Sequence, residues 1–127
     1  MQGDGVGVDV DVEGVVVAGR INDCVVVTAP SDLGSGRMAE LERVTLNHIV
    51  AEHTRGVILE LSGVQFMDSS EFKSLKAIAQ MAQHLGVKPM LVGLRPGIIA
   101  HLAQTDTDIT GIPATLGLNE ALAMLGR

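Results

Sequence analysis

Gly56-Val57-Ile58-Leu59-Glu60-Leu61-Ser62-Gly63-Val64-Gln65-Phe66-Met67-Asp68-Ser69-Ser70-Glu71-Phe72 is the stretch on which the reading of this chain turns. It opens with the apolar run Val57–Leu61, typical of a strand buried on both faces. It then passes through a short linker to Asp68, which is followed three residues later by Glu71. That spacing is the pattern of a reciprocal helix cap, in which Asp68 accepts from the amides of the first turn and Glu71 reaches back to the Asp68 backbone. Ser69 and Ser70 then occupy the first turn, where unpaired N–H groups and the positive end of the helix dipole converge and a dianion is welcome. Residues of these types also serve simply to start helices, so composition alone does not assign them a role.

Working outward, Ser69–Leu85 reads as a helix whose inward face is Phe72, Leu75, Ile78, Ala79, Ala82 and Leu85, stopped by Gly86. Upstream, Met38, Leu41, Thr45 and Ile49 recur at spacings of three and four, predicting an amphipathic helix that ends near Gly56 and that Ser35 is placed to cap. Before it, Val15–Ala18 and Cys24–Thr28 are β-branched runs separated by five residues, which predicts an antiparallel hairpin. Downstream come a strand over Val87–Leu94, a short helix over Pro96–Gln104 with Pro in its first turn, a minimal strand over Ile112–Ala114 and a closing helix over Leu118–Leu125. A hairpin followed by strand–helix alternation predicts an α/β domain with a mixed sheet of four to five strands and helices mainly on one face.

The chain has 127 residues, 46% of them apolar and 19% charged, with a mean hydropathy of +0.34. That is a globular composition long enough for one domain with a sizeable core. Residues 1–13 carry Asp4, Asp9, Asp11 and Glu13 and no basic side chain, so four of the six net negative charges sit there. Val6, Val8, Val10 and Val12 alternate there with Gly and acids, which reads as a two-sided strand if something covers it and otherwise as a tail; residues 1–13 are read as an acidic extension outside the core, and residues 14–127 as the domain. A net charge of −6 opposes binding to nucleic acid, and with two Phe and neither Trp nor Tyr there is no stacking platform for bases or sugars. No apolar run is long enough for a membrane span and the start is acidic, so a cytoplasmic location is expected.

Most other reactive side chains read as structural. Cys24, the one cysteine, excludes an internal disulfide and sits in a valine run as a small buried hydrophobe. His48, His53, His84 and His101 are not at ligand spacing, so no metal is expected, and the six Met residues read as core filler. Glycine clusters lack the order of a nucleotide-binding loop, so no cofactor is expected, and Ser69 lacks the Gly-x-Ser-x-Gly elbow of a hydrolase. A receiver domain also places an Asp after a strand and carries a Lys-Pro pair. Here, however, Lys88-Pro89 opens its strand at the opposite sheet edge from Asp68, and Val15–Ala18 supplies no carboxylate for Mg²⁺.

The run Gly56–Ser70 resembles the signature of the STAS domain, the fold of bacterial anti-sigma factor antagonists. The similarity continues through Leu85–Pro96 and the Leu102–Ala103, Ile109–Ile112, Ala114–Leu116 and Glu120–Leu122 stretches, covering about residues 14 to 125. The latter half is most similar to the single-domain scaffold proteins of the stressosome. The resemblance implies that Ser69, the Ser directly after the motif Asp, is phosphorylated by a serine/threonine switch kinase, with Ser70 as a second hydroxyl in the same turn. It implies a non-enzymatic scaffold that assembles with STAS paralogues as a homo- or hetero-oligomer and sequesters the kinase until Ser69 is modified. Asp68 and Glu71 support that site, and Lys73 and Arg95 are the candidate partner contacts. Stand-alone antagonists usually carry Gly where this chain has Glu71, a larger side chain that the scaffold proteins tolerate. The alternatives are a free anti-sigma factor antagonist and a STAS accessory subunit of a transport complex.

Overall fold

The computed structural model describes residues 9–10, 16–34, 36–51 and 53–126. Its elements in chain order are β1 (Asp9–Val10), β2 (Val17–Ile21), β3 (Cys24–Thr28), α1 (Arg37–Ala51), β4 (Gly56–Glu60), α2 (Ser69–His84), β5 (Lys88–Val92), α3 (Pro96–Gln104), β6 (Ala114–Thr115) and α4 (Leu118–Leu125). The strands lie side by side in that same order. β1–β2 and β2–β3 are antiparallel, and the three remaining neighbours pair in parallel.

The expected four- to five-stranded mixed sheet corresponds to β2–β6. Two residues of the acidic stretch add a sixth strand, with Asp9 opposite Ala18 and Val10 opposite Val17. The rest of that stretch and Ser35, the expected cap of α1, lie outside the described residues.

Register explains where the core sits. Val25, Val57 and Pro89 form one row across β3, β4 and β5, and Val27, Leu59 and Leu91 form the next row on the same face. Leu41, Val44 and Ile49 of α1, Phe72, Leu75 and Ile78 of α2, and Ile98 and Leu102 of α3 bury against that face. Val26, Ile58 and Met90 point the other way, where Ala121 and Leu125 of α4 pack against Cys24, Ile58, Met90 and Val92. Three helices thus cover one face and one covers the other.

Several expected boundaries move for local reasons. β2 runs on to Ile21, because Asn22 takes a φ of 57° and lets a two-residue turn return the chain to Cys24. β5 stops at Val92, because Gly93 turns with a φ of 79° and donates its amide to Thr115 O at 3.0 Å. β6 lies at Ala114–Thr115 rather than Ile112–Ala114, with Ala114 opposite Leu91. Leu85 is not on the inward face of α2: it is the C-cap, 50% exposed, and Gly86 at φ 80° ends the helix. Among the methionines, Met67 and Met90 are buried, whereas Met81 and Met124 are exposed.

Candidate functional site

The segment between β4 and α2 is held from both sides before it reaches Asp68. The Leu61 amide donates to Val92 O at 2.8 Å, the Val64 amide to Leu61 O at 2.9 Å and the Gln65 amide to Ser31 O at 3.1 Å. Leu61, Val64 and Met67 are fully buried, so every third side chain plugs this linker into the core. Phe66 between them is left 57% exposed, its ring centroid 5.2 Å from that of His101 at an interplanar angle of 53°. The Ser62 hydroxyl and amide both donate to the Glu60 carboxylate. Arg95 Nε donates to Ser62 O at 3.0 Å, which ties the start of α3 to the same linker.

The reciprocal cap predicted from Asp68 and Glu71 is present. Asp68 Oδ1 accepts from the Glu71 amide at 2.7 Å, and Glu71 Oε1 accepts from the Asp68 amide at 3.0 Å. Asp68 itself is extended (φ −90°, ψ 176°), so α2 begins at Ser69. The two serines are thereby separated in environment. Ser69 is half-buried and its Oγ accepts from Thr107 Oγ1 at 2.9 Å, whereas Ser70 is exposed.

Asp68, Ser69, Ser70 and Glu71 thus share one turn. Lys73 is exposed on α2 one turn beyond Ser69, and Arg95 is the exposed N-cap residue of α3. Neither is hydrogen-bonded to Ser69 among the described residues. The group that does touch it, Thr107, lies 38 positions away in the loop after α3, and no local pattern around Thr107 announces the contact. That loop is anchored on α2 as well: Lys76 Nζ donates to Asp108 Oδ2 at 3.2 Å and to Asp108 O at 3.3 Å. The Asp108 carboxyl is held well below its usual range, at about 2, first by the Thr110 hydroxyl, then by the Thr110 amide and the Lys76 ammonium.

Elsewhere, Cys24 is buried, and burial and then the neighbouring Asp23 carboxylate push its thiol pKa up, so it is a poor thiolate. Among the described residues no group of three or more His, Cys, Asp or Glu is placed to hold a metal ion, and no helix is long and apolar enough to cross a membrane. Lys88 pairs with Gly56 at the start of β4, whereas Asp68 follows the end of that strand. The Lys-Asp juxtaposition of a receiver site is therefore not formed.

A family model described as the STAS domain matches residues 16–119. No curated protein matches the chain. Among solved structures, RsbS of Moorella thermoacetica, as a serine-to-glutamate variant, superposes with a TM-score of 0.75 at 22% identity, covering 87% of this chain and 94% of that one. A chain from the stressosome, described as a signal integration and transduction hub, gives 0.73 at 23% identity over 86% of this chain and 95% of that one. The anti-sigma factor antagonist SpoIIAA in its unphosphorylated form gives 0.67 at 12% identity over 87% and 96%. Matched by that family model from before β2 into α4, and folded as these structures are, the chain belongs to the STAS domain family.

Proposed function

We propose that this protein is a non-enzymatic regulatory scaffold of stress signalling, working in the cytoplasm, which assembles with STAS paralogues and holds a serine/threonine kinase until that kinase phosphorylates Ser69. The observation that carries this reading is the position of Ser69 in the first turn of a helix whose cap is already closed by Asp68 and Glu71. A phosphoryl group there adds about −1.5 to −2 charge. At the helix N-terminus such charge is favourable by roughly 0.3–1 kcal/mol, so the fold tolerates it. A partner seated over the same turn meets the opposite situation: it must desolvate the phosphate beside two carboxylates. A penalty of about 3 kcal/mol weakens docking roughly a hundredfold. Exposed Phe66, braced by His101 three residues before Ser69, supplies apolar contact area on the same linker. Lys73 is the basic side chain nearest to the site in the chain and Arg95 is hydrogen-bonded to its linker, and both contribute partner contacts in this reading.

The likeness to SpoIIAA fits a free antagonist equally well as a fold, and Glu71 favours the scaffold because its carboxylate closes the cap from a position where antagonists usually carry Gly. Isolation of the native protein by an affinity tag separates the readings. A large particle containing related STAS proteins and a serine kinase is expected, with the kinase lost from the Ser69→Asp variant. A monomer or dimer bound to an anti-sigma kinase would favour the antagonist, and co-purification with a membrane transporter would favour the accessory role. A Ser69→Asp variant that retains the kinase as well as the unmodified protein refutes the release mechanism.

A further inference from the structure

Resting on the reading of Ser69 as the phosphate acceptor, we propose that Thr107 is its positioning residue. Its hydroxyl, carried by the 105–110 loop, donates to Ser69 Oγ, fixes which lone pair of that oxygen stays open, and thereby selects Ser69 over the exposed Ser70.

Thr107 Oγ1 donates to Ser69 Oγ at 2.9 Å and also lies 2.8 Å from Thr105 Oγ1. The Thr105 hydroxyl places its one proton on Leu102 O at 2.9 Å and so accepts at its contact with Thr107, which leaves the single Thr107 proton two acceptors, Thr105 Oγ1 and Ser69 Oγ; in the proposed arrangement that proton is on Ser69. With the Thr107 proton on Ser69, one lone pair of Ser69 Oγ is occupied and its own proton is turned away from Thr107. In the transfer itself the bond between the γ-phosphorus of ATP and ADP breaks, a bond from phosphorus to Ser69 Oγ forms, and the Ser69 proton passes to a base of the kinase. A fixed rotamer holds the attacking oxygen ready for that step.

The loop is built to keep Thr107 in place. The Thr107 amide donates to Leu102 O at 3.1 Å, and Asp106 adopts a φ of 60°, a turn conformation that Asp tolerates. Lys76 fixes Asp108, and Asp108 in turn accepts from the Thr110 amide at 3.0 Å and the Thr110 hydroxyl at 2.6 Å. Ser69 and Lys76 stand seven residues apart on α2, about 10.5 Å along its axis. The loop is thus fastened at two points to the helix that presents the acceptor.

The test replaces the acceptor oxygen with a titratable atom. In Ser69→Cys protein the donor at 107 stabilises the thiolate, so adding Thr107→Val, which keeps the shape and removes the hydroxyl, should raise the thiol pKa and slow iodoacetamide alkylation at pH 7 by about tenfold. Peptide mass mapping separates the new thiol from buried Cys24. Thr107→Ser should restore the rate. Identical pH–rate profiles with and without the Thr107 hydroxyl would overturn the inference. A second readout uses phosphopeptides from cells expressing the unmodified acceptor. Thr107→Val should lower the ratio of Ser69 to Ser70 phosphorylation severalfold and Thr107→Ser should preserve it; an unchanged ratio contradicts the positioning role. Absence of phosphate from Ser69 in every variant would refute the reading of the site while leaving the thiol measurement to judge Thr107 separately.

Discussion

At Ser69 two electrostatic demands meet, and they act on different states. Within the domain, the helix terminus offsets the repulsion that a phosphate feels from Asp68 and Glu71. Ser69→Asp should therefore melt within about 5 °C of the unmodified protein, the shift expected for a change below about 1 kcal/mol. A large loss of structure by circular dichroism would show that Ser69 is structural. Asp68 carries more of the fold. Asp68→Ala removes the acceptor for the Glu71 amide and should cost about 1 kcal/mol, within the usual 0.5–2 for a lost cap, measured by urea unfolding. An unchanged midpoint would mean that water replaces the cap without loss. Both residues were legible in the sequence, since Asp-x-x-Glu before an apolar helical face is a local pattern. Thr107 was not, because its contact with Ser69 exists only once α3 and the following loop have folded back over α2.

At the scale of elements, the loop after α3 is a polar latch whose strength depends on pH. The folded Asp108 pKa, about 2, lies below its ordinary value of 3.8, so the carboxylate stabilises the folded loop above the ordinary value and that contribution disappears as pH falls through the folded one. Exchange of the Thr110 amide, corrected for its intrinsic rate, should be flat from about pH 7 to 5 and should quicken between about pH 4 and 2. Loss of protection already near neutrality would show that Lys76 and Asp108 do not fasten the loop. The other exacting junction is Gly93, where a φ of 79° and a Cβ placed 2.9 Å from Ser62 Cβ and Oγ leave no room for a side chain. Gly93→Ala should destabilise by more than about 1 kcal/mol and disturb the linker that leads to Ser69, as read by chemical denaturation. Elements bounded by strong punctuation, such as α3 after Arg95-Pro96 and α2 between Asp68 and Gly86, were readable from sequence almost to the residue. The ends of β2 and β5 were not, because Asn22 and Gly93 set them through left-handed backbone that a run of valines does not reveal.

For the whole molecule, strand–helix alternation in the sequence showed a mixed sheet with helices mainly on one face, whereas the strand order and the place of α4 alone on the other face emerge only from the folded register. β1 reads in the sequence as part of an extension although Val6, Val8, Val10 and Val12 alternate there, because such a pattern becomes a strand only where an edge is offered, as β2 offers one to Asp9 and Val10. The fold leaves the Ser69 turn and Phe66 at the end of the sheet where β4 hands over to α2, on a linker pinned by Arg95 and by backbone bonds to Val92 and Ser31. In the proposed function, a modification there alters what can dock without disturbing the apolar layers beneath. The most direct test of that account is quantitative phosphopeptide mapping of the native protein from stressed and unstressed cells. Phosphate on Ser69 that rises with stress while the protein remains folded is the predicted result; a chain carrying no phosphate at Ser69 under either condition would contradict it.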